Sequence, residues 1–455
     1  MITQLQIKNF KSWRDTGDLR FAPLTGLFGG NSSGKTSILQ LLLMLKQTVE
    51  SPDRKQVLNL GDDRSLVSLG TFRDVIFGHR SAAQLFWHLE WQLGQDLQIA
   101  DPERQGSTLL SSREMTFDAF VSEQDEEGLL AVDYFAYGLR DALLAMQRQA
   151  QRSAKYDLLV LGEDRFKLRR TKGREGDLPA PVKCYGFPDQ VKAYYQNAGF
   201  LSDLELAFEQ LFSGVFYLGP LREYPKRQYT WAGTLPSDVG YRGEKAVEAI
   251  LASRQRGEKI SRGRGHKKLT LEQYVAQWLQ DLGLIHDFTV SPVTKGSNLY
   301  QVKVRRTPGA ADVLITDVGF GVSQLLPVLV LCYYAPEGST LILEQPEIHL
   351  HPSVQAGLAD VFIDAIRTRN VQIVLESHSE YLVKRLQRRI AEDEITNDDV
   401  ALYFCSMAGD ESIIEPLDVD QDGNIRNWPT DFFGDEMGDI AARTRAAMNR
   451  KRLAG

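Results

Sequence analysis

A glycine-rich segment near the amino terminus constrains this 455-residue chain more than any other feature of its sequence. Gly29, Gly34, Lys35 and Thr36 satisfy the pattern G-x-x-x-x-G-K-[ST], in which glycines let backbone N–H groups turn inward around a phosphate. An apolar stretch precedes the segment and the leucine-rich stretch 37–46 follows it, so the segment is predicted to join a strand to a buried helix. The positive end of that helix would favour an anion.

This pattern predicts a nucleotide site with ATP and Mg²⁺ as cofactors. Lys35 would reach the β- and γ-phosphates, and Thr36 would offer its hydroxyl to Mg²⁺. The residues expected to contact the nucleotide are Gly29, Gly30, Asn31, Ser32, Ser33, Gly34, Lys35, Thr36 and Ser37.

An apolar stretch in the last third of the chain, 340–343, ends in acidic residues. Glu344 would lie at the carboxyl edge of a parallel sheet, beside the glycine-rich segment, where it can hold Mg²⁺ through water. The next position would face the γ-phosphate, where hydrolysis needs a carboxylate to orient or deprotonate water. That position is Gln345, and an amide is a poor proton acceptor. Either turnover is slow, or the water is only positioned, or Glu347 acts as the base.

A second apolar stretch, 372–375, leads to His378. Because this stretch follows the acidic one along the chain, His378 is predicted to sense the γ-phosphate at the same sheet edge. His349 and His351 could suggest a metal site, but no third ligand has suitable spacing. Residues 418–423 begin like a calcium loop that lacks its closing glutamate. Both features are interpreted as structural.

Strand-like and helix-like stretches alternate in the last third, which predicts parallel βαβ units. The predicted fold is α/β: an ABC-type P-loop ATPase head, with a mixed or parallel sheet and flanking helices, plus a helical insertion lobe. Short strands are expected across 66–93, and helices near 141–152 and across 189–212. The expected domains are the first part of the ATPase core (1–100), a mixed or helical insertion lobe (101–290), the second part of the core (291–405) and a short C-terminal cap (406–455).

Composition narrows the class of protein. With 43% hydrophobic and 25% charged residues, the chain is typical of soluble globular proteins. The three cysteines lie far apart, so neither a disulfide framework nor a zinc module is indicated, and a cytoplasmic location is predicted. The longest apolar runs are too short to span a bilayer, so no membrane partner is expected.

The net charge of −7 argues against a basic coat for nucleic acid, but it allows a local basic patch. Two basic segments occur, at 165–174 and 254–268. Each is either a solvated loop or a surface that contacts phosphate groups. The residues singled out for contact with DNA are Arg262, Arg264, Lys267 and Lys268.

Taken together, these motifs resemble the ABC-type ATPases of the SMC, RecF and OLD branch. Residues 29–36 are similar to their Walker A motif, 341–345 to Walker B and His378 to their switch histidine. Residues 347–352 resemble the PExHLHP segment of OLD-like ATPases, and 317–324 resemble a degenerate signature motif. Within that motif, the resemblance points to Gly319, Gly321, Ser323 and Gln324 as residues that contact nucleotide.

The tail is similar to an OLD-like subgroup that has a short C-terminal cap and no fused nuclease. The resemblance implies that two heads sandwich two ATP molecules, each bound by the Walker A motif of one head and the signature motif of the other. The chain would therefore form a homodimer or a higher homo-oligomer that responds to nucleotide.

The leading hypothesis is an ATP-dependent switch, the sensor subunit of an antiviral (anti-phage) defence system. An effector nuclease would act in trans, and DNA or a phage protein would be the trigger. One alternative is a DNA repair or recombination ATPase that acts directly on DNA. Another is a nucleotide-binding scaffold that scarcely hydrolyses ATP, as Gln345 permits.

Overall fold

The structure is a computed structural model that describes most of the chain. The described residues are 1–80, 83–100, 108–124, 128–140, 142–150, 152–162, 168–172, 176–261, 267–429, 432, 441–447 and 450.

The strands, in chain order, are β1 (Ile2–Phe10), β2 (Trp13–Asp15), β3 (Leu19–Arg20), β4 (Leu24–Gly29), β5 (Leu85–Ala100), β6 (Thr108–Glu123), β7 (Leu130–Leu139), β8 (Ala142–Gln149), β9 (Arg152–Leu161), β10 (Val215–Leu218), β11 (Tyr229–Thr230), β12 (Asp287–Pro292), β13 (Leu299–Arg305), β14 (Val313–Leu314), β15 (Thr340–Glu344), β16 (Gln372–Glu376), β17 (Val400–Ala408) and β18 (Glu411–Pro416).

The helices are α1 (Lys35–Glu50), α2 (Phe72–Val75), α3 (Asp189–Tyr194), α4 (Leu201–Ser213), α5 (Ala246–Arg256), α6 (Leu271–Asp281), α7 (Phe320–Tyr334), α8 (Pro352–Arg369) and α9 (Glu380–Ala391). Short 3₁₀ turns lie at Phe77–His79, Ile315–Asp317 and Asn397–Asp399, and residues 441–447 are helical. In the described part of the chain, no helix combines the length and apolar character needed to cross a membrane.

A six-stranded sheet carries the predicted motif strands, in the order β10-β15-β16-β4-β17-β18. Each neighbouring pair from β10 to β17 is parallel, and β18 runs antiparallel to β17. The prediction of parallel βαβ units is therefore confirmed. The strand β10 belongs to this sheet although it lies within the predicted insertion lobe. Because β4, β15 and β16 are parallel, the residues that follow them meet at one edge of the sheet.

An eight-stranded sheet contains β1, β2, β3 and β5 to β9, and the neighbours along it are antiparallel. The predicted helix near 141–152 is wrong, because β8 occupies that range. Its sequence, ALLAMQRQ, consists of good helix formers, but β8 pairs with both β7 and β9. Tertiary pairing here overrides local helix propensity.

Short strands are predicted across 66–93, but in this range the structure forms a strand only from Leu85 onward. Before that point, residues 72–75 form α2, in which the Asp74 carboxylate accepts a 2.8 Å hydrogen bond from the Thr71 backbone N–H. The helix predicted across 189–212 is present as α3 and α4. A third sheet of four strands includes β12 and β13, which pair as an antiparallel hairpin.

The helix α1 is buried on every side, as its leucine pattern predicts. Leu39, Leu42 and Leu45 are all fully buried, and α1 packs among residues of the eight-stranded sheet and α4. A helix enclosed in this way cannot shift without opening the core. The start of α1, where the glycine-rich segment ends, is therefore held in a fixed position.

Candidate nucleotide site

The segment 29–36, hereafter the glycine loop, connects β4 to α1. Gly29 has φ 137° and Gly34 has φ 88°. Residues with a side chain adopt such positive φ angles only under strain, whereas glycine adopts them freely. A Cβ atom at Gly29 would lie 2.0 Å from the carbonyl oxygen of Cys405 in β17. A Cβ atom at Gly34 would lie 2.4 Å from the hydroxyl of Ser412 in β18. Both glycines are therefore required by torsion and by space.

The side chain of Lys35 is folded inside the glycine loop and is 3% exposed. Its Nζ donates hydrogen bonds to the carbonyl oxygens of Gly29 at 3.2 Å and Gly30 at 2.6 Å. Burial lowers the pKa of Lys35, and the nearby carboxylate of Glu376 opposes that shift. The cation thus lies where a phosphate held by the loop would meet it.

Glu376, at the end of β16, has its carboxylate beside the start of α1. Its Oε2 accepts a 2.7 Å hydrogen bond from the Thr36 hydroxyl, and its Oε1 lies 4.0 Å from Lys35 Nζ. The sequence motifs do not identify this residue, because the pattern of the switch histidine points past it to His378. A usable signal existed, since two neighbouring parallel strands both end in glutamate. Glu344 and Glu376 are register partners.

Glu344 is buried at the end of β15. The Tyr217 hydroxyl donates to Glu344 Oε1 at 3.0 Å, and Arg222 Nη2 donates to the Glu344 carbonyl oxygen at 3.3 Å. Burial and the charge of Glu376 raise the pKa of Glu344 to about 7. Tyr217 and Arg222 were also missed, because β10 and the loop after it carry no recognisable motif.

Arg222 is 6% exposed, and its Nε and Nη1 atoms donate to no partner among the described residues. Burial lowers its pKa to about 10, while Tyr217, Glu344 and Glu347 favour the charged form. A buried cation with free donors is costly, so its place beside the carboxylates needs a functional reason.

Gln345 and Glu347 occupy the turn after β15. Gln345 is half-buried with φ 43°, and its backbone N–H donates to the Glu376 carbonyl oxygen at 2.9 Å. Glu347 is buried, and its Oε1 accepts a 2.7 Å hydrogen bond from the backbone N–H of His378. In the described part of the chain, Glu347 Oε2 has no hydrogen-bond partner. Burial raises the pKa of Glu347.

His378 follows β16 and is half-buried next to the glycine loop. Burial, and then the positive charge of Lys35, lower the pKa of His378, and the backbone of Gly29 faces the ring. Burial and the charge of Lys35 therefore favour the neutral imidazole. The structure thus brings His378, Glu347, Lys35 and Thr36 to one edge of the six-stranded sheet.

The segment 317–324 lies at the start of α7. The helix begins at Phe320, so Gly319 precedes it and Gly321 lies in its first turn. The Ser323 hydroxyl donates to the Phe320 carbonyl oxygen at 2.9 Å, and Ser323 and Gln324 are both buried. Within the described ranges, no hydrogen bond or ion pair joins this segment to the glycine loop of the same chain.

The donor set at the site fits Mg²⁺. The Thr36 hydroxyl and the carboxylates of Glu376 and Glu344 offer only oxygen, the ligand atom that Mg²⁺ prefers. No group of three or more His, Cys, Asp or Glu side chains in the described residues could hold a metal ion alone. Mg²⁺ would therefore depend on phosphate oxygens as well.

The other candidate residues lie elsewhere. His351 caps α8, where its Nδ1 accepts from the Ser353 N–H at 3.3 Å, and His349 is exposed. In 418–423, Asp420 accepts from backbone N–H groups of the same turn. Lys267 and Lys268 are exposed. Arg262 and Arg264 lie outside the described residues, as do 165–167 and 173–174 of the other basic segment.

Models of two ATPase-domain families match the parts of the chain that form this site. The family described as "AAA ATPase domain" matches residues 1–80. A family described as "AAA domain", whose description adds a candidate AbiEii toxin and a Type IV TA system, matches residues 218–384. A third family, described as "Protein of unknown function (DUF3696)", matches residues 395–442. The chain is therefore an ATPase, and the predicted α/β fold of a P-loop ATPase head is confirmed.

Solved structures similar to this chain include heads of SMC proteins. The SMC head domain from Thermotoga maritima is 11% identical with a TM-score of 0.41, covering 92% of this chain and 99% of that chain. An Smc head bound to the C-winged helix domain of ScpA is 11% identical with a TM-score of 0.45, covering 92% and 98%.

An Smc head with an extended coiled coil, bound to the C-terminal domain of ScpA derived from Pyrococcus furiosus, is 10% identical with a TM-score of 0.46, covering 91% and 96%. These scores are low, so the assignment of the fold rests on the sheet topology and the family matches. No curated protein matches the chain.

Proposed function

We propose that this ATPase is a molecular switch that binds ATP in a head-to-head homodimer or higher homo-oligomer and hydrolyses it slowly. The observation that carries the proposal is the glycine loop facing a buried row of acids, with Gln345 where a proton-accepting carboxylate would normally follow the strand. An amide there can hold a water molecule but accepts a proton poorly. ATP would therefore persist long enough to define a bound state.

Each side chain has a distinct role in this proposal. Lys35 and the loop N–H groups bind the phosphates, and Thr36 with a buried acid at the strand ends, Glu344 or Glu376, would hold Mg²⁺, whose charge would neutralise the phosphate oxygens. Glu347 accepts the proton from water, since one of its oxygens is free and the other is fixed by the backbone of His378. Neutral His378 donates a hydrogen bond to the γ-phosphate without adding a second cation beside Lys35.

An exposed apolar surface supports the oligomeric part of the proposal. Phe320, at the start of α7, is 55% exposed and packs edge-on against Tyr224, which is 70% exposed, with ring centroids 5.9 Å apart. Leu221 is exposed on the same loop as Tyr224. Apolar side chains exposed in this way favour contact with another protein surface. A second copy that brings its glycine loop to residues 319–324 would cover them and place Gly319, Gly321, Ser323 and Gln324 near its nucleotide.

The biological setting follows from the resemblance and one family description. The family that matches residues 218–384 is described with a candidate AbiEii toxin and a Type IV TA system. We propose by analogy that this chain is a cytoplasmic sensor in anti-phage defence, similar to OLD-like ATPases. Its partners would be an effector nuclease in trans and a trigger, either DNA or a phage protein.

Steady-state ATP turnover tests the catalytic part of the proposal. Wild-type protein should turn over slowly, Gln345→Glu should turn over faster, and Glu347→Gln should lose turnover while still binding ATP. Glu337→Gln is the matched control, because Glu337 is exposed and precedes β15, at the end of that strand opposite to Glu344. Rapid wild-type turnover that survives Glu347→Gln would contradict these roles.

A nucleotide-binding scaffold remains the second candidate, and Gln345 is the observation that favours it. ATP would then bind without measurable turnover in the wild-type protein. Turnover that arises only in Gln345→Glu would support the scaffold.

A further inference from the structure

Glu376 lies closer to the nucleotide site than the acid of the neighbouring strand. It is 4% exposed, and its two carboxylate oxygens face the first two residues of α1: Oε2 accepts from Thr36 at 2.7 Å, and Oε1 lies 4.0 Å from Lys35 Nζ. These are the two side chains that the phosphate-binding pattern assigns to Mg²⁺ and to the phosphates. One buried carboxylate thus contacts both.

The order of the strands explains this placement. The strand β16 pairs directly with β4, the strand that enters the glycine loop, whereas β15 lies one strand further away. Neighbouring strands are about 4.8 Å apart, so the backbone of Glu344 is displaced from the loop by about that distance relative to Glu376. The Glu344 side chain is also engaged on the far side, where Tyr217 donates to it.

The hydrogen bond from Thr36 also prepares the hydroxyl for a cation. A hydroxyl has one proton to donate and two lone pairs. Because the proton is directed to Glu376, the lone pairs remain free and their direction is fixed. Hydrogen-bonded partners that orient a metal ligand in this way strengthen metal binding about 10- to 100-fold.

We propose that Glu376, rather than Glu344, is the carboxylate that positions Mg²⁺ beside Thr36. Glu376 orients the Thr36 hydroxyl and supplies the negative charge that holds the hydrated cation. Glu344 then lies one strand further out, between Glu376 and the Tyr217–Arg222 side. This inference rests on the proposed nucleotide site and refines the residue that serves its metal.

The test compares two isosteric substitutions at register-paired positions, Glu376→Gln and Glu344→Gln. Binding of the fluorescent nucleotide mant-ADP is measured in EDTA and then during titration with MgCl₂, so that no hydrolysis is involved. In EDTA, both variants should bind mant-ADP within about twofold of wild type. The MgCl₂ concentration for the half-maximal Mg²⁺ effect should rise about tenfold or more in Glu376→Gln, and much less in Glu344→Gln.

A larger shift in Glu344→Gln, or equal shifts in both variants, would overturn the inference. Far-UV circular dichroism and thermal melting establish that each variant is folded. If Glu376→Gln does not fold, Glu376→Asp keeps the charge but withdraws it by one methylene, and its Mg²⁺ requirement should still exceed that of Glu344→Gln. The opposite order would again refute the assignment.

The same data separate this inference from the function on which it rests. Wild-type protein that binds mant-ADP neither in EDTA nor in MgCl₂ would refute the nucleotide site itself. Normal wild-type binding with no difference between the two variants would refute only the role of Glu376.

Discussion

The two large sheets differ in whether their charged side chains have hydrogen-bond partners. On the eight-stranded sheet, half-buried charges find partners: His88 Nδ1 lies 2.7 Å from Asp118 Oδ1, and Arg148 Nη1 lies 3.0 Å from Asp133 Oδ1. At the edge of the six-stranded sheet, Arg222 and Glu347 are buried with atoms that have no partner in the described structure. Unpaired buried charge costs stability, so its concentration at one edge indicates a site kept ready for a ligand.

Among the substitutions that test this difference between the two sheets, removal of the Lys35 ammonium should have the largest effect, a loss of ATP affinity. Lys35→Ala should weaken ATP binding about 10- to 100-fold, the loss expected when a charged hydrogen-bond donor to phosphate is deleted. Its unfolding free energy without nucleotide should hardly fall, because burial already disfavours the charged form. Lys8→Ala, at the exposed ion pair with Asp15, is the control and should leave ATP binding unchanged. Equilibrium binding and denaturant unfolding measure both quantities.

A second contrast comes from two arginines, the buried Arg222 and the half-buried Arg148. Arg222→Met should reduce ATP turnover about tenfold or more, yet leave the unfolding free energy unchanged or raise it by about 1 kcal/mol, since an underpaired buried charge is removed. Arg148→Met should lower the unfolding free energy by about 1 kcal/mol with unchanged turnover, since it breaks a half-buried ion pair. A fall in stability in Arg222→Met with normal turnover would show that Arg222 is structural, as Arg148 is, and does not serve the site.

The interaction of His88 with Asp118 and Glu90 predicts that the unfolding free energy depends modestly on pH. Hydrogen bonding to Asp118 raises the pKa of His88 above its usual value of 6.5, against the opposing effect of burial. A raised pKa in the folded state stabilises the fold below pH 6.5, and this contribution is lost as the pH rises through the folded pKa. In His88→Gln, the unfolding free energy should therefore fall at pH 5.5 by about 0.5 kcal/mol and be nearly unchanged at pH 9.

The smallest effect is expected at the basic segment. If Lys267 and Lys268 contact DNA, Lys267→Gln with Lys268→Gln should reduce the slope of log affinity against log salt by about two, since each phosphate contact contributes about 0.9. Fluorescence anisotropy with a labelled duplex measures that slope. An unchanged slope would place both lysines on a solvated loop.

The glycine loop and the acidic strand end could be predicted because their information is local. Gly29 to Thr36 is one contiguous pattern, and the alternation of strands and helices after it gives the parallel sheet. Glu376 and Arg222 needed the order of the strands, which no single segment encodes: β16 lies beside β4, and β10 beside β15. In β8, good helix formers adopt a strand because two neighbouring strands pair with them, a contact that local propensity does not contain.

We expect ATP, and not ADP, to bring two or more copies of the chain together. Light scattering coupled to size exclusion measures the molar mass of Glu347→Gln, the variant expected to retain ATP, with no nucleotide, with ADP and with ATP plus Mg²⁺. We expect the mass of one chain in the first two conditions and at least twice that mass with ATP, and Phe320→Asp should abolish the increase. A mass that is the same in all three conditions would show that nucleotide does not control assembly.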